Sequence, residues 1–270
     1  MRYYSRMPIP ERLRPSFGAL RTPELDPLEE ARQSLRKRLI VALDVPDAAA
    51  AMQLVNGLER TCQWFKVGME LFTAAGPQVI EPLVAREHSV FLDLKFCDIP
   101  NTVAGAVRSA AALGVRMITV HASGGPAMLE AAQNALADFK NPPQLLAVTV
   151  LTSIDQAQAT AIGWDRSPAQ QVELLAKIGL QAGIRGFVCS PQEVSALRAL
   201  TGPDGVLVIP GIRPAGAQTR NSIDDQKRVA TPAEALRQGA SYIVVGRPIT
   251  QAPDPAEAAE AILEEMAGAI

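Results

Sequence analysis

An acid, a base and a second acid close one apolar run of this chain. They are Asp93, Lys95 and Asp98, within Phe91-Leu92-Asp93-Leu94-Lys95-Phe96-Cys97-Asp98-Ile99-Pro100-Asn101-Thr102. Groups of these types serve proton transfer and charge stabilisation. A strand sends alternate side chains to opposite faces, so Asp93 and Lys95 project the same way and Leu92 and Leu94 face the other layer. Buried charges are costly unless they are paired or used. The structural alternative is an ion pair that only plugs a strand end. Pro100 ends the strand, Asn101 or Thr102 is the expected cap of the next helix, and Asp98 falls on the turn between them.

The elements that must position these groups form a regular alternation. Leu39 to Leu43 reads as a buried strand ending at Asp44, followed by a helix capped by Asp47. Trp64 to Val67, Val90 to Leu94, Met117 to Val120, Leu145 to Val150, Gly186 to Val188, Val206 to Ile209 and Tyr242 to Val245 read as seven more strands. Helices are expected from Glu70 to Arg86, with a break at Gly76-Pro77, from Asn101 to Leu113, and from Pro126, Pro168, Pro191 and Pro255. Strands apolar throughout, each followed by a helix, mean a parallel sheet covered by helices. Eight such units in about 230 residues point to a closed (β/α)8 TIM barrel. An open doubly wound sheet is the fallback, but Asp44-Val45-Pro46-Asp47 stands where its glycine fingerprint would be.

Length and composition agree with one barrel domain over residues 37–270 preceded by an extension over residues 1–36. The extension is rich in Arg, Pro and Glu and is expected to be helical or partly disordered, with Asp26-Pro27 opening a helix that ends near Arg36. The chain has 270 residues, of which 48% are hydrophobic, enough for a large core. A net charge of −2 points to neither a nucleic-acid nor an anionic-membrane surface. No apolar run approaches a membrane span, and no secretory signal is expected. The three cysteines, Cys62, Cys97 and Cys189, are odd in number and far apart. They favour a reducing, cytoplasmic location over a disulfide framework. With only His88 and His121 as histidines, no metal site is expected.

Such barrels place their active sites at the C-terminal strand ends. Those ends carry Asp44, Lys66, Asp93 with Lys95, His121, Thr152, Cys189-Ser190, Gly211-Ile212-Arg213 and Gly246-Arg247. Lys66, Asp93, Lys95 and Asp98 read together as a mixed-charge cluster, a costly way to gain stability alone. Glycine and arginine after strands seven and eight suit a phosphate, since glycine admits close backbone approach and guanidinium fits phosphate oxygens. The long polar stretch from Pro214 to Arg228 beside them reads as a closing lid. His121 is expected as a hydrogen-bonding support, and Cys189 lacks an activating base.

These residues closely resemble the orotidine 5′-phosphate decarboxylase family over nearly all of residues 38–265. The resemblance rests on the Asp93-Leu94-Lys95-x-x-Asp98-Ile99-Pro100-Asn101-Thr102 signature, which is highly specific. Looser motifs follow in the right order: Ala42-Leu43-Asp44, Phe65-Lys66-Val67-Gly68, Val120-His121, Leu151-Thr152-Ser153, Pro210-Gly211-Ile212-Arg213, Asp225-Gln226-x-Arg228 and Val244-Val245-Gly246-Arg247. It implies decarboxylation of orotidine 5′-phosphate to UMP and CO2 without metal or organic cofactor. Lys66, Asp93, Lys95 and Asp98 would form the charge array, with Lys95 stabilising and protonating the C6 carbanion. Asp44 and Lys66 would contact the ribose, and Thr152 or Ser153 the pyrimidine. Gln226 would bridge base and phosphate, and Arg213, Gly246 and Arg247 would hold the phosphate. A homodimer with shared sites is implied, Asp98, Ile99 and Thr102 reaching into the neighbouring subunit. Cys97 stands where many members carry histidine, which adds an oxidisable thiol but leaves the array intact.

Two alternatives stand beside this reading. A Mg²⁺-dependent sugar-phosphate decarboxylase or synthase of the same barrel superfamily carries a related Asp-x-Lys-x-x-Asp pattern; the Ile99-Pro100 extension and Gln226 argue against it. A non-catalytic nucleotide-binding module would keep the phosphate grip, but the intact charge array argues against lost catalysis.

Overall fold

The structure, a computed structural model, describes residues 27–215 and 228–269. Eight parallel strands close into a barrel in sequence order. They are β1 Leu39–Ala42, β2 Trp64–Gly68, β3 Ser89–Phe96, β4 Met117–His121, β5 Gln144–Val148, β6 Gly186–Val188, β7 Val206–Ile209 and β8 Tyr242–Val245. Closure is carried by β1, which pairs with β2 on one side and β8 on the other.

The alternation of side chains divides the apolar residues into two cores. Ile40, Phe91, Met117, Leu146, Val208 and Val244 fill the barrel interior. Leu39, Val41, Phe65, Val67, Leu92 and Ile118 face outward and pack under the helices. Toward the C-terminal mouth the interior pattern changes, and Lys66, Asp93 and Thr119 take inward positions while remaining buried. The apolar filling therefore stops below a charged layer.

The helices are α1 Pro27–Arg36, α2 Ala48–Leu58, α3 Met69–Ala75, α4 Glu81–Ala85, α5 Pro100–Ala112, α6 Pro126–Asn134, α7 Gln156–Ala161, α8 Pro168–Gln181, α9 Val194–Thr201, α10 Pro232–Arg237, α11 Arg247–Thr250 and α12 Pro255–Ala267. Asp47 caps α2, its carboxylate accepting the Ala50 N–H at 2.8 Å. The expected interruption after α3 occurs at Gly76, whose φ of +66° turns the chain into a tight 3-10 turn at Pro77–Val79. The expected cap of α5 at Asn101 or Thr102 is corrected. Helix α5 begins at Pro100, with Ile99 as cap residue and no side-chain cap bond. Proline needs no N–H partner in a first turn and carries a helical φ, so it starts the helix instead of merely ending the strand. Strand β5 stops at Val148, two residues before the expected end.

Residues 1–26 of the expected extension lie outside the described residues. Helix α1 lies along α12, with Leu35 fully buried between them and the barrel. Arg32 and Arg36 reach Glu260 at 3.4 and 3.5 Å. Exposed pairs of this kind contribute about 1 kcal/mol at most, so Leu35 is the stronger tether. Among the described residues, no helix is long and apolar enough to cross a membrane.

Candidate active site

A cavity of about 590 Å³ opens at the C-terminal ends of the strands. Asp44, Lys66, Asp93 and Lys95 line one wall, and Thr152, Ser153, Gly211, Arg213, Gly246 and Arg247 line another. The strand order dictates this split, because β1 to β3 deliver the charges and β5, β7 and β8 the remainder.

The charges on the first wall alternate in sign. Lys66 Nζ lies 2.9 Å from Asp44 Oδ1 and 3.5 Å from Asp93 Oδ2. Lys95 Nζ donates to both oxygens of Asp93 at 2.9 Å. Burial disfavours the charge on Lys66, yet Asp93 and then Asp44 outweigh it and hold its pKa above the ordinary lysine value. Burial likewise opposes ionisation of Asp93, but Lys66, Lys95 and the hydrogen bonds from Lys95 and Thr119 hold its carboxyl below the ordinary range. Within the array Asp44–Lys66–Asp93–Lys95, the two buried members, Lys66 and Asp93, are thus each held in the charged form by neighbours of opposite sign.

Gly68 leaves room for this array. A Cβ there would stand 2.9 Å from Lys66 Nζ and 3.3 Å from Asp44 Oδ1. Gly246 opens the short helix α11, and a Cβ on it would stand 3.6 Å from Asp44 Oδ2. Gly211 has a φ of +77°, a conformation other residues adopt only under strain. The Arg213 N–H donates to Ala230 at 2.9 Å, tying together the two ends of the expected lid. Gln226 lies outside the described residues.

Asp98, Ile99 and Thr102 are exposed and do not line this cavity. Asp98 Oδ1 accepts the N–H of its own neighbour Ile99 at 2.6 Å. Within one chain, then, the cluster expected from the residues alone is missing Asp98. Its place is taken by Asp44. The ring of His121 makes no hydrogen bond to the described residues. Burial and then the Lys95 charge push its pKa below the ordinary histidine value, against Asp93. Burial, followed by the charge on Glu193, pushes the Cys189 thiol far up, which suits an inert side chain. Among the described residues, no group of three His, Cys, Asp or Glu side chains is placed to hold a metal ion.

Sequence reasoning passed over Thr119, which bonds to both Asp93 and Lys95, and Glu70 and Gln251, which line the cavity. Thr119 had a faint signal: it is the one polar residue inside the apolar run Met117 to Val120, two positions before His121 on the same face. Glu70 sits on α3 and Gln251 just past the end of α11, and they had none.

Comparison with known proteins gives a consistent picture. The chain is 50% identical over 244 residues to a protein of Moorella thermoacetica named orotidine 5′-phosphate decarboxylase, covering 88% of this chain and 95% of that one. It is 52% identical over 231 residues to a protein of the same name from Nitrosococcus oceani, covering 86% and 98%. Among solved structures, the orotidine 5′-phosphate decarboxylase of Lactobacillus acidophilus superposes with a TM-score of 0.73 at 40% identity, covering 85% of this chain and 99% of that one. The model of the orotidine 5′-phosphate decarboxylase / HUMPS family matches residues 37–262. A barrel mouth carrying this charge array, with such relatives over nearly its whole length, places the chain in that family.

Proposed function

We propose that this protein decarboxylates orotidine 5′-phosphate to UMP and CO2, the last step in making UMP. The observation that carries the reading is the Lys95 ammonium, 2.9 Å from both oxygens of Asp93 on one wall of a cavity whose other wall holds Arg213 and Arg247. The arginines and the backbone at Gly211 and Gly246 bind the phosphate, and Asp44 and Lys66 bind the ribose. Thr152 meets the pyrimidine, and Gln226 closes over base and phosphate.

With phosphate and ribose held, C6 of the ring lies against Asp93 and Lys95. The bond from C6 to its carboxylate breaks, both electrons stay on C6, and CO2 leaves. No adjacent carbonyl spreads the charge, so fixed charges in the site must stabilise it. The Lys95 ammonium supplies that stabilisation and then passes a proton to C6. Asp93 faces the leaving carboxylate, so departure of CO2 relieves a repulsion. Lys66 keeps Asp93 ionised and aimed. Phosphate lies far from the reacting carbon, so its binding energy serves to position the ring.

A cytoplasmic homodimer completes the reading. Ile99 is 67% exposed on the turn between β3 and α5, and Asp98 is exposed next to it. Covering this stretch with a second copy hides Ile99 and carries Asp98 and Thr102 toward the neighbour's cavity. Mixing tests it. Lys95→Ala and Asp98→Ala, each inactive alone, should regain about a quarter of wild-type activity when their subunits are exchanged, because half the dimers hold one intact site. No recovery despite verified exchange would refute sharing.

The primary test is an ultraviolet assay of orotidine 5′-phosphate decarboxylation with calorimetric titration of UMP. Binding without turnover would favour the non-catalytic alternative. Turnover unaffected by EDTA disposes of the Mg²⁺-dependent one. Geometry already weighs against the latter, since Lys66 Nζ occupies the space between Asp44 and Asp93 that a bridging cation would need.

A further inference from the structure

Strand β3 does not run evenly into the site. Its pairing with β4 is regular through Leu92 with Ile118 and resumes only at Phe96 with Val120. Asp93, Leu94 and Lys95 therefore stand opposite the single residue Thr119, an irregularity of the kind that re-aims side chains beside active sites. Within it Lys95 has a φ of +52°, in the left-handed region; among the described residues only Glu87 is another non-glycine with positive φ. A β3 of uninterrupted pleat would leave the Lys95 N–H to the ladder. Here it is directed instead at a side chain.

That side chain is Thr119. Its Oγ1 accepts the Lys95 N–H at 2.9 Å and donates to Asp93 Oδ1 at 3.0 Å. The residue is fully buried, and it does not line the cavity. A hydroxyl has one donor and two acceptor sites, so one group can satisfy both partners. The two bonds hold different things: one fixes the strained backbone from which the Lys95 side chain departs, and the other fixes the carboxylate on which its ammonium rests.

We infer that Thr119 is a positioning residue for the decarboxylation, setting the geometry between Asp93 and Lys95 without touching substrate. This rests on the function proposed above. It predicts a particular division of effects. Substrate binding depends on phosphate and ribose contacts elsewhere, so losing the hydroxyl should slow the chemical step and leave binding nearly unchanged.

Thr119→Val keeps the branched shape and removes the hydroxyl. It should lower kcat by about ten- to a hundredfold, the scale of a hydrogen bond to a charged group. KM and UMP affinity by calorimetry should change by less than about threefold. Thr119→Ser restores the hydroxyl and should recover kcat to within about threefold of wild type. If Thr119→Val does not fold, Thr119→Cys takes its place against Thr119→Ser, the pair differing in hydrogen-bond strength at similar size. Wild-type kcat in the hydroxyl-free variant, failure of serine to rescue, or a matched rise in KM would each overturn the inference. Should the wild-type chain itself fail to decarboxylate orotidine 5′-phosphate, the proposed function falls instead, so the two failures are distinguishable.

Discussion

Lys66, Asp93 and Lys95 on one side of the barrel mouth, and Glu193 with Arg228 on the other, are both clusters of buried charge, but they are completed differently. Glu193 pairs with Arg228 and also accepts from the hydroxyl and N–H of Ser190. Arg228 donates a further N–H to the Leu151 carbonyl at 3.0 Å, and only its Nε is left without a hydrogen-bond partner. Both side chains are about a tenth exposed or less. This network is closed upon itself and staples the loops after β5 and β6 to the segment before α10. In the Asp93 cluster, exposure is lowest in the middle of the array and higher at its ends: the side chains of Lys66 and Asp93 are 10% and 11% exposed, that of Lys95 23% and that of Asp44 54%. Its ends open into the cavity. A closed buried pair holds loops together, whereas an array with open ends keeps charge available for a ligand.

Lys95→Ala should give the largest effect. Removing the group proposed to supply both the stabilising charge and the proton should lower kcat by about four orders of magnitude, with the melting temperature little changed. Substantial remaining turnover would put catalysis elsewhere. On the closed side, Glu193→Ala strands Arg228 in a buried site and should cost about 3–5 kcal/mol of folding stability, read as a lower urea midpoint. If it were neutral, the two clusters would not differ as argued.

Gly68→Ala discriminates more finely. Its new Cβ meets the tip of the flexible Lys66 side chain, so folding should suffer by less than about 1 kcal/mol. Displacement of the ammonium should still reduce kcat/KM by about tenfold, which steady-state kinetics will show.

The smallest effect concerns acid. Because the native pKa of Asp93 is depressed, its stabilising contribution is complete above the ordinary value of 3.8 and is lost as pH falls through the native value. The stability difference between wild type and Asp93→Asn should therefore stay flat from about pH 8 to 5 and change only below 3.8. A slope near neutrality, measured by urea unfolding across pH, would show that Asp93 is not held ionised by its two lysines.

The barrel is legible in the sequence because its signals are local. Apolar runs mark the strands, and all eight expected strands start within one residue of the observed ones; the differences lie at their ends, β5 stopping two residues early and β3 running two residues further. Residue types at the strand ends likewise announced Asp44, Lys66, Asp93 and Lys95, because charges at the close of apolar runs are unusual enough to notice. Asp98 shows the limit, since the folded chain leaves it exposed, bonded to Ile99 and outside the cavity, which its residue type and spacing do not announce.

What the chain determined by itself was the succession of strands and helices, the sign and order of charges on β3, and the family to which these belong. Periodicity and composition are properties of neighbours in sequence. Tertiary structure alone decided that β3 slips against β4, that Lys95 takes a left-handed backbone, and that Thr119 serves both Lys95 and Asp93. It also decided that Arg228 meets Glu193 across 35 positions. A register shift depends on the adjoining strand, and a buried hydroxyl acquires its partners only when two strands lie side by side.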